Sequence, residues 1–539
     1  MDAFIGVDVG TGSARAGVFD EKGNLLGTAK REIRIWRGEH DIVEQSSQDI
    51  WAAVVASVRE AMALSGVEPS AVRGLGFDAT CSLVVVGPGG KGLPVGPSED
   101  AARDIIVWMD HRALEQAARI NATGHKVLRY VGGVISPEME TPKLLWLKEN
   151  RPAVFADAEH FFDLADYLTF RATGSLTRSV CTLTCKWTYL AHERRWDPDY
   201  FHTIGLGELA DEGFKRIGTD VVDIGEPISG GLTPAAAEEL GLLPGTAVGA
   251  PAIDAHAGGI GTLGASRDGV AAEPASELAF IMGTSSCAMA VTREAAFVDG
   301  VWGPYRDSLL PGYWLLEGGQ SAYGAGLDFL VSLHPAHAAV RQAAEARGLS
   351  LLSELERRAI EAAGSVEEAA RLARSLHVVP EFLGNRSPEA DPAATAAITG
   401  LTLDASENAL VRLFVAGLCG LSYGTGDIVR AMTEKGVALD AIVVSGGAAR
   451  SPLLRRILSD ATGMRVVLPK TAEPVLLGSA IIGAVAARAF PDLSAAAAHM
   501  CGIGDETVPN PDLAEFHARK RAAYDILRRA EREVRALGR

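Results

Sequence analysis

Apolar residues at the start of the chain fall into short runs punctuated by glycine. Phe4-Ile5-Gly6-Val7 leads into Asp8-Val9-Gly10-Thr11-Gly12-Ser13, then Ala14-Arg15-Ala16-Gly17-Val18-Phe19, and the polar stretch Asp20-Glu21-Lys22-Gly23-Asn24 closes the pattern. Apolar runs bounded by turn formers predict strand, phosphate-sized turn, strand. At 47–64 the spacing changes to that of an amphipathic helix, and Gly74-Leu75-Gly76-Phe77-Asp78 opens a further strand-like run through Val86. Strands alternating with helices predict an α/β fold.

A related pattern returns as Leu278-Ala279-Phe280-Ile281-Met282-Gly283-Thr284-Ser285-Ser286-Cys287-Ala288-Met289, again apolar run, Gly-Thr turn, apolar run. This reads as an internal repeat. Two copies facing each other would form a cleft with one phosphate-binding turn on each side, and clefts between domains are preferred ligand sites. The boundary is expected at 258–268, a segment of glycine and small residues suited to a hinge, with domains at 1–262 and 263–539. In the second half, the Ala-, Glu- and Arg-rich stretch 336–376 predicts a helical insertion of structural character. Ile442-Val443-Val444-Ser445-Gly446-Gly447 predicts a strand entering a glycine turn, followed by helices at 452–462 and 512–537.

Length and composition narrow the function. A chain of 539 residues exceeds what one core usually serves. Its 47% hydrophobic and 22% charged residues are those of a globular protein. The net charge of −17 opposes binding to nucleic acid and points to small-molecule substrates. The apolar stretch Val475 to Ala487 is shorter than the ~20 residues of a membrane span and reads as a close-packed buried helix. With no basic region and apolar core at the N-terminus, the expected location is the cytoplasm. Six cysteines build no disulfide framework; Cys181 and Cys185 lack a matching pair for zinc and read as buried thiols. The assembly is left open, a homodimer included.

Nucleotide phosphates need close approach to backbone N–H groups, which glycine allows. Asp8-x-Gly10-Thr11-Gly12-Ser13 supplies such a turn with hydroxyls and a carboxylate able to hold Mg²⁺ through water; the other reading is a glycine-rich turn capped by an aspartate. Gly283-Thr284 and Gly446-Gly447 strengthen the nucleotide reading, because three glycine turns at strand ends can cradle triphosphate and adenosine together. Arg15 and Arg450, beside the first and third turns, are counted with them. Neither a Walker motif nor a dinucleotide fingerprint is present, which leaves the superfamily of actin, heat-shock ATPases and sugar kinases.

These turns resemble those of the FGGY carbohydrate kinases. Gly6-Val-Asp8-Val-Gly10-Thr11-Gly12-Ser13 is similar to the family's first phosphate motif and Gly283-Thr284-Ser285 to its second. Ser445-Gly446-Gly447-Ala448 and Leu476-Leu477-Gly478-Ser479-Ala480 resemble its adenosine turn and the helix after it. Pro142-Lys143-Leu144-Leu145-Trp146 resembles its N-domain signature, with Glu140 standing where a small residue or proline is usual. The resemblance implies two ribonuclease H-like domains around a central cleft, with ATP and Mg²⁺ as cofactors.

Within the family, Gly76-Phe-Asp78-Ala79-Thr80-Cys81-Ser82, Trp108-Met-Asp110-His111-Arg112, Cys185-Lys186-Trp187-Thr188 and Gly384-Asn385-Arg386-Ser387-Pro388 resemble the ribulokinase branch, its D-ribulokinases above all. This implies phosphorylation of D-ribulose at C5; L-ribulose, xylulose or another polyol is the competing substrate. A non-catalytic sugar or nucleotide sensor is the competing class. The resemblance makes Asp254 the general base and second carboxylate toward the metal; on its own it would read equally well as a helix cap. Lys186 and Glu317 are the expected sugar contacts. Cys81 either lines the same pocket or is a small buried residue. Asp78 and Asp110 either touch substrate or make structural bonds, as to Arg112. His256 reads as a local hydrogen-bonder and the tryptophans 108, 146 and 187 as core or domain-face residues.

Overall fold

The computed structural model describes residues 2–39, 41–267 and 270–538, without the side chains of 266–271. Asp268, at one end of the expected hinge, lies outside them. Two mixed sheets organise the chain and repeat one plan. In the first, Ala3–Val9, Ser13–Asp20 and Leu25–Glu32 run antiparallel in succession, and Val72–Ala79 lies parallel to the first strand on its other side. In the second, Glu277–Met282, Ser286–Thr292 and Trp314–Gly318 follow the same antiparallel path, with Ala441–Ser445 parallel to the leading strand. The repeat read from the sequence is thus a repeat of topology.

The strand-like run expected through Val86 is two strands in different sheets. Val72–Ala79 belongs to the first sheet, and Leu83–Val86 pairs with His160–Asp163 in another. The break falls at Thr80–Ser82, where the Ser82 N–H turns back to the Thr80 carbonyl at 2.8 Å.

The helix Pro474–Ala486 crosses between the lobes. It comes from the second half of the sequence but packs on Ala3–Val9 and Val72–Ala79 of the first sheet and on the helix Asp254–Ile260. Only glycine permits this approach: a Cβ on Gly76 would lie 1.9 Å from the Ser479 carbonyl oxygen. The segment expected as a hinge at 258–268 begins inside that partner helix, so its first small residues serve close packing against Pro474–Ala486. A cut of the chain at 262 therefore does not separate the packing of the two lobes.

The long apolar helix Glu407–Glu434 meets the length and composition of a membrane span, but 78% of its apolar window is buried within the second lobe. The insertion at 336–376 is helical, with His337–Glu345 and Leu351–Ala363. Glu140 begins the helix Glu140–Asn150 and is buried with Lys143, 3.3 Å away; burial pushes its carboxyl up to about 7.

Candidate active site

Two cavities share one turn. The first, about 330 Å³, lies between the lobes and is lined by Asp8, Gly10, Thr11 and Arg15 from one side and by Gly283, Thr284 and Glu317 from the other. Cys81, Lys186 and Asp254 complete the expected set there. The second, about 520 Å³, is bounded by Gly447 and Arg450 and again by Gly283 and Thr284. The turn between the leading strands of the second sheet thus borders both.

Each expected turn sits where strands end. Gly10 and Thr11 follow Ala3–Val9, and the Gly10 N–H bonds the Ser13 carbonyl at 3.0 Å. Gly12 and Ser13 shape this turn without lining either cavity: the Gly12 carbonyl accepts from the Ile33 N–H at 3.2 Å. Gly446 likewise sets up its turn from behind. Its φ of 88° is left-handed, and a Cβ there would meet the Met282 carbonyl oxygen at 2.5 Å.

Asp254 is the first residue of a helix, directly after the short strand Ala252–Ile253 that pairs with Val72–Ala79. It is half-buried, and its Oδ1 accepts from the Ala255 N–H at 2.7 Å. Burial and the nearby Asp8 carboxylate push its pKa up to about 6. Asp8 is buried and ion-paired with Arg15, whose other nitrogen reaches Glu473 at 3.0 Å. Arg15 therefore lines the cavity already engaged with two carboxylates.

On the far wall, Lys186 and Glu317 are both buried. Burial would raise Glu317, but Lys186 and the nearby His256 bring it down to about 2. Burial opposes the Lys186 charge, yet the Glu317 carboxylate helps hold its pKa well above that of a free lysine. The Cys81 thiol is pushed up by burial and stays protonated. His256 is a local hydrogen-bonder, as expected: Nδ1 lies 3.0 Å from the Ser308 carbonyl and Nε2 3.6 Å from Glu317.

One expectation needs correction. Asp78 is fully buried behind the cavity wall and accepts the Ser479 hydroxyl, so it does not face the space where a substrate would sit. Asp110 takes the structural alternative, buried and pairing with Arg112 at 2.7 Å while accepting from the Val43 N–H at 2.6 Å. Trp108 is a domain-face residue that lines the first cavity, and its indole N–H donates to the Thr11 hydroxyl at 2.9 Å.

Glu138, Cys287, Trp302 and Arg386 also line the first cavity and were not assigned from the sequence. Arg386 stands in the Gly384–Pro388 run that carries part of the resemblance. Nothing in the sequence around Trp302 marks it, because only sheet pairing brings Trp302 opposite Glu317.

The two-lobed architecture is that of solved carbohydrate kinases. A xyloylose kinase from Brucella ovis superposes with a TM-score of 0.81 at 21% identity, covering 99% of this chain and 100% of that one. A xylulose kinase from Rhodospirillum rubrum gives 0.79 at 21% identity, covering 99% of each. The family profiles are more specific: that of the FGGY family of carbohydrate kinases, N-terminal domain, matches residues 3–261, and that of the C-terminal domain residues 278–487. The chain belongs to the FGGY family of carbohydrate kinases and is a sugar kinase. It is 43% identical over 540 residues to an FGGY carbohydrate kinase domain-containing protein of Danio rerio, covering 99% of this chain and 98% of that one. To a D-ribulokinase of Saccharomyces cerevisiae it is 40% identical over 517 residues, covering 90% of this chain and 72% of that one. Kinases of this family take their phosphate from ATP.

Proposed function

We propose that the chain transfers the γ-phosphoryl of ATP to a ketopentose, D-ribulose, at its C5 hydroxyl. The observation that carries this is the sharing of Gly283-Thr284 between the two cavities. A nucleotide seated against Gly447 and Arg450 would direct its terminal phosphate through that turn into the cavity holding Asp254. The choice of D-ribulose rests on the yeast relative and on the motifs around Cys81, Lys186 and Arg386.

Asp254 then acts as general base. With a pKa near 6 it is ionised at neutral pH yet basic enough to accept the proton of the attacking hydroxyl. Lys186 donates to sugar oxygens and Glu317 accepts from sugar hydroxyls, while the backbone at Gly10 and Thr11 meets the transferring phosphoryl. The site fits Mg²⁺, since Asp8 and Asp254 line one cavity and the Asp8 charge opposes ionisation of Asp254. Bound there, the ion would offset the charge of the polyphosphate.

A coupled ADP-release assay across D-ribulose, L-ribulose, D-xylulose, ribitol and glycerol tests this reading. The highest kcat/KM is expected for D-ribulose; a higher value for another member of the panel replaces the substrate, and no sugar-dependent ADP release removes the reaction.

A further inference from the structure

Among the described residues Arg386 lines the first cavity with no hydrogen bond or ion pair, as does Lys186, whereas Arg15 is held by Asp8 and Glu473. Arg386 instead lies over the Trp302 ring, its guanidinium carbon 5.4 Å from the centroid, and the Lys186 ammonium lies 4.9 Å from the same ring. Through Trp302, which pairs with Glu317 across the sheet, Arg386 belongs to the Glu317 side of the cavity.

The segment that carries Arg386 is fixed from two sides. The Ser387 hydroxyl donates to the Gly300 carbonyl at 2.9 Å, and the backbones of Asn385 and Asp391 exchange hydrogen bonds at 2.8 and 2.9 Å. The C-terminal helix Ala514–Leu537 then grips it. Arg528 reaches Glu389 at 3.3 Å, Arg532 pairs with the same carboxylate, and Arg535 reaches Asp391 at 2.5 Å. A free guanidinium on a loop anchored this firmly is placed for a ligand.

The ligand's chemistry follows from what a guanidinium lacks. It donates only, and a carbonyl oxygen accepts only, so the two pair with no proton left to place. A hydroxyl in that place brings a proton that needs an acceptor of its own; the Trp302 face offers none, so the hydroxyl would have to compete for Glu138, whose Oε1 faces His111 at 3.4 Å, or for Glu317. A five-carbon 2-ketose closes its ring through the C5 hydroxyl onto C2, which consumes the group to be phosphorylated. Holding the C2 carbonyl by hydrogen bonds keeps the chain open and the C5 hydroxyl free at the opposite end.

We propose that Arg386 binds the ketone oxygen of an open-chain ketopentose and sets preference for ketose over alditol, and that the C-terminal helix holds it there through Glu389 and Asp391. The proposal rests on the sugar-kinase reading of the first cavity.

Calorimetric titration of the full chain with D-ribulose and with ribitol, alongside KM for ATP, tests it in wild type, R386M, R386K and E389Q. In R386M, D-ribulose binding is expected to weaken about tenfold or more, ribitol binding by less than about threefold, and KM for ATP to stay within about twofold. R386K, which keeps charge but loses the fork, should fall between, and it decides the matter if thermal melting shows R386M unfolded. E389Q should weaken D-ribulose in the same direction with ATP unaffected. Equal losses for ribulose and ribitol, or D-ribulose bound as in wild type, overturn the proposal. A wild type that phosphorylates D-ribulose while R386M binds it unchanged overturns this inference alone. Arg386-dependent binding of D-ribulose without phosphorylation overturns the kinase reaction and leaves this inference standing.

Discussion

The hydroxyl of Ser479 donates to the buried carboxyl of Asp78, 401 positions away in the chain. The bond fastens the helix Pro474–Ala486 to the strand Val72–Ala79, which pairs with the strand carrying Asp8 and with the short strand just before Asp254. One residue earlier the packing is tighter: a Cβ on Gly478 would lie 1.8 Å from the Ala257 carbonyl oxygen. Gly478→Ala should therefore destabilise the protein by about 1–3 kcal/mol or more, because backbone rather than a flexible side chain must yield. Ser479→Ala should cost about 1 kcal/mol. Chemical denaturation measures both, and a Gly478→Ala variant as stable as wild type would show that the helix is free to shift.

Asp78 also gives a pH dependence. Burial, then the Asp8 charge, raises its pKa well above that of a free aspartate despite the Ser479 bond. A carboxyl raised on folding supports the fold below its unfolded pKa, and that support is lost as pH rises through the folded value. Asp78→Asn should flatten this part of the stability profile. Melting temperatures from acidic to alkaline pH check the point; an unchanged slope in the variant would assign the dependence elsewhere.

Replacing the proposed base should separate chemistry from binding. Asp254→Asn is expected to lower kcat by roughly 10² or more while KM for both substrates stays within about threefold. In wild type, kcat/KM should climb as pH rises through about 6, where Asp254 loses its proton. Near-normal turnover in the variant would remove Asp254 from the role.

Lys186 and Glu317 form the charged wall of the first cavity, so Lys186→Met should leave Glu317 buried without its largest favourable partner. The expected result is a KM for ribulose raised about tenfold or more with little change for ATP, read from steady-state kinetics at saturating co-substrate. An equal rise in both values would place the lysine's effect outside the sugar cavity.

The helical insertion should matter for the nucleotide. Glu356, on the helix Leu351–Ala363, accepts from the Ser451 hydroxyl at 2.7 Å and from the Leu453 N–H at 2.9 Å, and both Glu356 and Ser451 line the second cavity. Glu356→Ala should raise KM for ATP roughly tenfold and spare that for sugar, since it releases the helix start beside the Gly446-Gly447 turn. A raised sugar KM with ATP unaffected would exchange the roles of the two cavities.

The sequence by itself determined what short-range order can encode. Gly10-Thr11, Gly283-Thr284 and Gly446-Gly447 each stand between an apolar run and the next element, so the turns and the repeated strand plan were readable from spacing and glycine chemistry. The helix 452–462 was readable for the same reason. Tertiary structure alone decided which side chains face one cavity. Asp78 and Cys81 are three residues apart, yet the sheet breaks between them and sends one behind the wall and the other into the space. Trp302 faces the site through its register with Glu317, and Arg386 through a loop whose Glu389 and Asp391 pair with a helix more than a hundred residues further on. The helix Pro474–Ala486 packs on the lobe opposite to its place in the chain. Such contacts depend on long-range pairing energies, and no local pattern of residues records them.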